Sequence, residues 1–466
     1  MSSLKFGTSG LRGLVTDLLG GPSYTYSLAF LRHLGAGGRV FIGRDLRSSS
    51  PEIAADCIAA ARTAGFEPVD CGAVPTPALA LAAMSDGSPA IMITGSHIPD
   101  DRNGLKFYSA KGEIAKDDEA GILSHFAQTQ NERRPEGNDG AQTLDALAPY
   151  RRRYVDFFGP AALVGLKVGV YQHSSVARDA LLDVVTALGA EAVPLARATS
   201  FIPVDTEAHR PEDVRLVADW AAEGTLDAIV STDGDADRPL VADERGRILR
   251  GDVIGLLTAR HLGLRTIVTP VTSSAAVEAS GIATRALRTK VGSPFVIAGM
   301  EKAASEGAEG IVGFEANGGL LLFSPVTRDG RTLSALPTRD AFLPILSVLA
   351  EAKALGMSLG QVVDKLDAGH AAAHRLQEVP ASRSAPFLQR LASDAAFRDE
   401  FMRPVGAVRE TNDLDGVRML LADGSTMHFR ASGNAPELRC YVEAGSEAKA
   451  AELLHWGLEA ATREVR

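Results

Sequence analysis

Three times along this chain a short apolar run breaks into a polar, glycine-bearing loop: AIMITGSH from Ala90, DAIVSTDGD from Asp227 and GIVGFEANGG from Gly310. Short apolar runs bounded by turn formers read as strands buried on both faces, and helical periodicity lies between them. Strands alternating with helices predict mostly parallel sheets covered by helices. In open α/β sheets, ligands bind beyond the carboxyl ends of the strands. Three such units can therefore direct three loops at one cleft, which is the expectation here.

The local signals fill in this frame. RVFIGRD reads as a buried strand, followed by a helix capped by Ser50 with Pro51 in its first turn and Gly65 beyond its end. A polar stretch, QTQNERRPEGNDGAQ, separates this unit from the next. LKVGVY is a strand, Val176 to Leu188 a helix stopped at Gly189, and TIVTPV a further strand before the helix FVIAGMEKAASEG. From about His370 the pattern changes. MLLADGSTMHFRAS is a hairpin turning at Asp423-Gly424, ELRCYVEA is another strand, and an alanine-rich helix ends the chain. The expected units are 1–151, with a serine loop; 152–251, with a metal loop; 252–369, with a sugar loop; and 370–466, a smaller α+β unit.

At 466 residues the chain is too long for one core, and its 45% apolar and 23% charged content is ordinary for a globular protein. The net charge of −10 offers no basic surplus for nucleic acid. No apolar run approaches the roughly 18 residues that span a bilayer. Cys57, Cys71 and Cys440 lack metal-type spacing, which fits a reducing, cytoplasmic setting.

The loops carry the chemistry. Asp233, Asp235 and Asp237 in STDGDADRP alternate, so an extended backbone turns all three carboxylates the same way. Three like charges this close repel unless a cation sits among them, and carboxylate oxygens suit a hard divalent ion. Arg238 follows and tempers the repulsion. Ser96 and His97, after Gly95, offer a hydroxyl beside an imidazole, a candidate pair for covalent chemistry, with Lys106 on the next strand. Lys106 or His97 is the candidate acid or base. RASGNAPELR resembles an anion cradle built from Arg430, Ser432, Gly433 and Asn434. Glu315 and Asn317 are placed to hold sugar hydroxyls. Arg12, between Gly10 and Gly13 in GTSGLRG, lies where backbone can approach a ligand closely; GRD at Gly43 to Asp45 has no assigned role.

With these loops in this order, the chain resembles the α-D-phosphohexomutase family over essentially its whole length, and its serine and phosphate loops are most similar to the bacterial phosphomannomutase branch. The resemblance implies three related α/β domains and a smaller C-terminal α+β domain around a central cleft. It implies Ser96 as a phosphoserine that joins the three aspartates around Mg²⁺. Arg12 and Lys106 then lie near the reacting phosphate, and Arg430, Ser432, Gly433 and Asn434 hold the distal one. Arg238, Lys290, Glu315 and Asn317 complete the expected substrate contacts. The sugar loop departs from the family pattern Gly-Glu-x-Ser-Gly-His: Gly313 to Gly319 keeps the glutamate shifted by one residue, and the histidine is missing.

The implied reaction interconverts hexose 1-phosphate and hexose 6-phosphate through a hexose 1,6-bisphosphate, with mannose phosphate as the preferred substrate and glucose or glucosamine phosphate as alternatives. An inactive sugar-phosphate binder and a magnesium-dependent phosphohydrolase are the competing classes. The expected partner is a small sugar phosphate, with neither nucleic acid nor membrane, in a monomer or dimer.

Overall fold

The computed structural model describes residues 3–7, 10–35, 37–137, 140–366, 368–432 and 436–465. Its organising feature is one strand order used three times. Strand Arg39–Arg44 lies between Glu67–Ala73 and Ala90–Ile93, parallel to both, and Arg102–Ser109 then closes antiparallel on Ala90–Ile93. Lys167–His173 sits likewise between Glu191–Arg197 and Ala228–Thr232, with Pro239–Asp243 returning antiparallel. Thr266–Pro270 repeats this between Arg285–Thr289 and Ile311–Phe314, with Leu320–Leu322 returning. The three loops singled out from sequence are thus the same connection in each unit. Each leaves the last parallel strand at its carboxyl end and turns back on itself.

The sheets expected to be mostly parallel keep those three parallel strands in each unit, and the antiparallel return beside them makes each sheet mixed. The connection after each loop is a hairpin, and an antiparallel return needs no crossover helix. A correction concerns the helix Ser50–Thr63: Ser49, not Ser50, occupies the capping position. The Ser50 hydroxyl instead donates to Asp45 (2.6 Å). Gly65, with φ of +81°, follows the helix as expected.

The fourth unit is a five-stranded antiparallel sheet in the order His370–Gln377, Glu437–Ala444, Thr426–Ala431, Val417–Leu421, Val408–Asn412. Leu438, Cys440, Val442, Met427 and Phe429 alternate onto one face and pack with Phe387, Leu391 and Leu453 of covering helices. The opposite face, with Thr426, His428, Arg430, Arg439, Tyr441 and Glu443, is polar and turned towards the other units.

Those other units share one core. A single apolar cluster runs through Phe41, Met92, Val168, Val230, Ile267, Phe314 and Phe342. Helix Leu147–Phe158 pins it, with Tyr150 and Tyr154 both donating to the buried Asp340, Tyr150 at 2.6 Å. No helix among the described residues is long and apolar enough to cross a membrane.

Candidate active site

The serine loop and the aspartate loop, far apart in sequence, meet. The Ser96 hydroxyl donates to Asp233 Oδ2 at 2.5 Å and lies 3.2 Å from His97 Nδ1. Each loop carries a non-glycine residue in the left-handed region, Ser96 at φ +55° and Ala236 at φ +60°. Such backbone is held only where its surroundings over-determine it. Gly234 permits the close approach, because a Cβ there would sit 2.6 Å from the Ser96 carbonyl oxygen. Thr76 of the first unit grips the aspartate loop from behind: its N–H donates to the Asp235 carbonyl (2.9 Å) and its hydroxyl to Asp235 Oδ2 (2.5 Å).

Asp233, Asp235 and Asp237 are completely buried, and one carboxylate oxygen from each falls within 4.8 Å of the others. The Lys106 ammonium enters the group, 2.6 Å from Asp235 and 2.5 Å from Asp237. Asp233 Oδ1 accepts the backbone N–H of Asp237 (3.2 Å) and of Arg238 (3.3 Å), folding the loop around its own carboxylate. Asp235 Oδ1 and Asp237 Oδ1 are buried without a hydrogen-bond partner among the described residues. Burial, then the neighbouring Asp235 and Asp237, push the Asp233 carboxyl well above its ordinary pKa. Burial works against ionisation of Asp237 too, but Arg339, Lys106 and Arg238 outweigh it and hold that carboxyl far below the usual range. Buried carboxylate oxygens without a hydrogen-bond partner suit a metal ion, and the three aspartates are placed so that they could hold one.

Cations ring the group. Arg12 pairs in register with Gly104 on the strand that also carries Lys106, two residues on and hence on the same face. Burial and then Arg238 and Arg339 bring its guanidinium pKa down to about 10. Arg238 donates to His97 Nδ1 (3.0 Å), so that nitrogen is an acceptor and the neutral ring carries its proton on Nε2, which faces Asp205 at 3.8 Å. Burial first, and then Arg238, draw His97 down to about 3.

Arg339 is a site residue that sequence patterns gave no reason to select. Only 2% exposed, it places Nη2 at 2.9 Å from Asp237 and Nη1 at 3.6 Å from Glu315, with Nε 4.0 Å from Glu113. The three carboxylates belong to the second, third and first sheets, so one guanidinium joins all three loop-bearing units. Glu113 is held in turn by Ser293 (2.5 Å) and Thr338 (3.1 Å).

The loop bearing Glu315 is thereby brought to the aspartate loop. Glu315 is buried, and Asn317 uses Oδ1 to accept the Gly319 N–H (2.9 Å) in its own turn while its carbonyl accepts the Thr206 hydroxyl (2.8 Å). Arg430 forms a separate group with Asp415. Arg430 Nε donates to Asp415 (2.8 Å), and the same carboxylate oxygen accepts the N–H of Val291, the residue after the exposed Lys290 (2.9 Å). The Ser432 N–H donates to the Glu437 carbonyl (2.9 Å). Gly433 and Asn434 lie outside the described residues.

Family models match along the whole chain: phosphoglucomutase/phosphomannomutase alpha/beta/alpha domain I over residues 3–133, domain II over 152–246, domain III over 250–368 and the C-terminal domain over 372–456. A phosphomannomutase of Sinorhizobium fredii is 46% identical over 465 residues, covering 97% of this chain and 98% of that protein. One of Salmonella muenchen is 40% identical, covering 97% and 94%. A phosphoglucosamine mutase of Desulforudis audaxviator is 29% identical over 382 residues, covering 78% and 81%. Among solved structures, a phosphoglucomutase/phosphomannomutase family protein from Burkholderia thailandensis superposes with a TM-score of 0.77 at 23% identity, covering 98% and 97%, a likeness of fold. With all four domains matched in order, the chain belongs to the phosphoglucomutase/phosphomannomutase family and is a phosphohexomutase, an intramolecular phosphotransferase.

Proposed function

We propose that this enzyme interconverts mannose 1-phosphate and mannose 6-phosphate, with Ser96 as the phosphoryl carrier. The observation that carries the reading is the 2.5 Å contact between Ser96 and Asp233 inside the buried aspartate group. The choice of mannose is supported by the relatives: those at 46% and 40% identity are phosphomannomutases, while a phosphoglucosamine mutase stands at 29%.

In this reading Asp233, Asp235 and Asp237 would hold Mg²⁺ beside Ser96, and the ion would draw charge from the transferring phosphoryl group. Phospho-Ser96 gives its phosphoryl group to the free sugar hydroxyl: the Ser96 Oγ–P bond breaks, the sugar O–P bond forms, and the hydroxyl proton passes to a base. Lys106, held as an ammonium between Asp235 and Asp237, is the candidate acid that gives a proton to Ser96 Oγ as the Oγ–P bond breaks. Arg12 and Arg238 offer charge to the oxygens in flight. The resulting hexose 1,6-bisphosphate turns over in the cleft and returns its other phosphoryl group to Ser96. Glu315 and Asn317 hold the sugar hydroxyls. Lys290, Arg430, Ser432, Gly433 and Asn434 hold whichever phosphate is idle, and one site serving either end of the sugar explains why the idle phosphate has its own unit.

Mannose, glucose and glucosamine 1-phosphates should be supplied to the purified protein, following 6-phosphate and free phosphate together. The highest kcat/KM is expected on mannose 1-phosphate, no turnover in Ser96→Ala, and weaker Mg²⁺ binding together with a lower rate in Asp235→Asn. Release of free phosphate in place of a 6-phosphate would make the protein a hydrolase. Absence of phosphate on Ser96 with no turnover would make it a binder.

A further inference from the structure

The segment Gly43 to Ser49, GRDLRSS, holds a side chain that the reaction scheme does not use. Arg47 is 1% exposed, and all five of its guanidinium N–H donors are engaged. Nε donates to Asp45 Oδ2 (3.2 Å), Nη1 to the carbonyls of Pro99 (2.8 Å) and Arg102 (3.1 Å), and Nη2 to those of Ser96 (3.1 Å) and Ile98 (2.6 Å). Four of the five acceptors are therefore main-chain carbonyls of the single turn that carries the reactive serine. Asp45 completes the grip from the other side, accepting the Thr94 hydroxyl (2.8 Å), and Thr94 Oγ1 in turn accepts the Ser96 N–H (2.8 Å). Both peptide groups flanking the left-handed Ser96 are tied down, one through Thr94 and one by Arg47. The ring of Phe201, from the second unit, lies 3.8 Å from the guanidinium carbon. Gly95 leaves room for the arrangement, since a Cβ there would meet the guanidinium carbon at 2.7 Å.

We propose that Arg47 is the positioning residue for the reactive serine: its planar five-donor fork moulds residues 96–102 so that the Ser96 hydroxyl is delivered to the aspartate group. Lysine cannot substitute, because an ammonium offers three donors from one point and cannot reach carbonyls spread around a plane. Arg47 touches no reacting atom, so its loss should leave substrate binding intact and slow the chemical step. The proposal rests on the reading of Ser96 as phosphoryl carrier.

The test uses the full-length enzyme with hexose 1-phosphate, rates being expressed per folded protein. In Arg47→Lys, kcat is expected to fall about 100-fold, the cost of a misplacement on the order of 1 Å, with KM within about threefold of the parent. In Arg47→Ala, millimolar guanidinium ion should recover at least about tenfold of the lost kcat by refilling the carbonyl ring, which a merely unstable variant would not show. Should Arg47→Ala fail to fold, the Arg47→Lys split between kcat and KM decides alone. Parent-like kcat in Arg47→Lys would overturn the proposal, as would a loss in Arg47→Ala that guanidinium leaves untouched. Ser96→Ala, run alongside, separates the two layers. Turnover there removes the carrier reading and this proposal with it, whereas a dead Ser96→Ala beside a fully active Arg47→Lys removes only the positioning role.

Discussion

Arg339 shows how much a single buried charge can organise. Its guanidinium lies among Asp237, Glu315 and Glu113, so removing it leaves three buried carboxylates short of a cation at once. Breaking a buried pair from one side costs about 3–5 kcal/mol, because the surviving charge stays desolvated. Arg339→Met should therefore lower the urea midpoint by an amount corresponding to about 3–5 kcal/mol, and Glu113→Gln in the same background should restore part of it. At this scale the sequence was readable where chemistry is written in neighbouring residues. Ser96 beside His97 and the alternating aspartates announce themselves locally. Arg339 and Arg47 do not, because each owes its meaning to acceptors supplied by distant segments, and an arginine in LPTRD or GRDLR looks like any other.

The repeated element is a strand, a polar loop and an antiparallel return. The outgoing strands were legible as apolar runs that end in glycine-bearing loops. The return strands of the second and third units were not, because Pro239–Asp243 and Leu320–Leu322 are also buried throughout and lack the alternation that marks a half-exposed antiparallel strand. His173 closes the strand Lys167–His173 and fastens it to the strand bearing the aspartate loop by donating from Nε2 to the Thr232 carbonyl (2.8 Å). Burial brings its pKa down from 6.5 to about 4. The folded protein thus keeps His173 neutral while the unfolded chain takes up a proton below pH 6.5. The stability this group contributes is fully present above that pH and is lost as the pH falls towards 4, a change of about 3 kcal/mol. Replacing it with glutamine, which retains a donor for Thr232, should flatten the stability profile between pH 6.5 and 4, as read from urea unfolding at each pH. An unchanged slope would show that His173 is not the group responsible.

For the whole molecule, the decisive fact is that three units share one apolar cluster while the fourth has its own. The fourth meets the third through polar contacts. Glu443 accepts the Ser274 hydroxyl (2.5 Å) and the Ala275 N–H (3.0 Å), and Asp415 accepts the Val291 N–H (2.9 Å). The apolar cluster of the fourth unit is separate from the one the other three share, so polar contacts hold this joint. Hydrogen bonds to a charged acceptor contribute about 1.5–3 kcal/mol. Glu443→Ala should loosen the docking by about that much, seen as faster amide exchange in residues 368–377 while the three-unit core exchanges as before. Equal acceleration in both regions would mean that the fourth unit is not separately anchored. The compositional break near His370 made this unit legible as distinct from the rest, but its attachment was not, since the docking pairs join residues that carry no pattern in either segment.

The ammonium of Lys106 inside the aspartate group has a bearing on how the enzyme comes to exist at all. An acidic nest with no resident counterion would resist collapse, because its desolvated carboxylates would repel one another uncompensated. Here the polypeptide brings its own neutralising charge. The buried carboxylates are thus answered by a charge from within the same polypeptide, supplied by a strand of the first unit to a loop of the second.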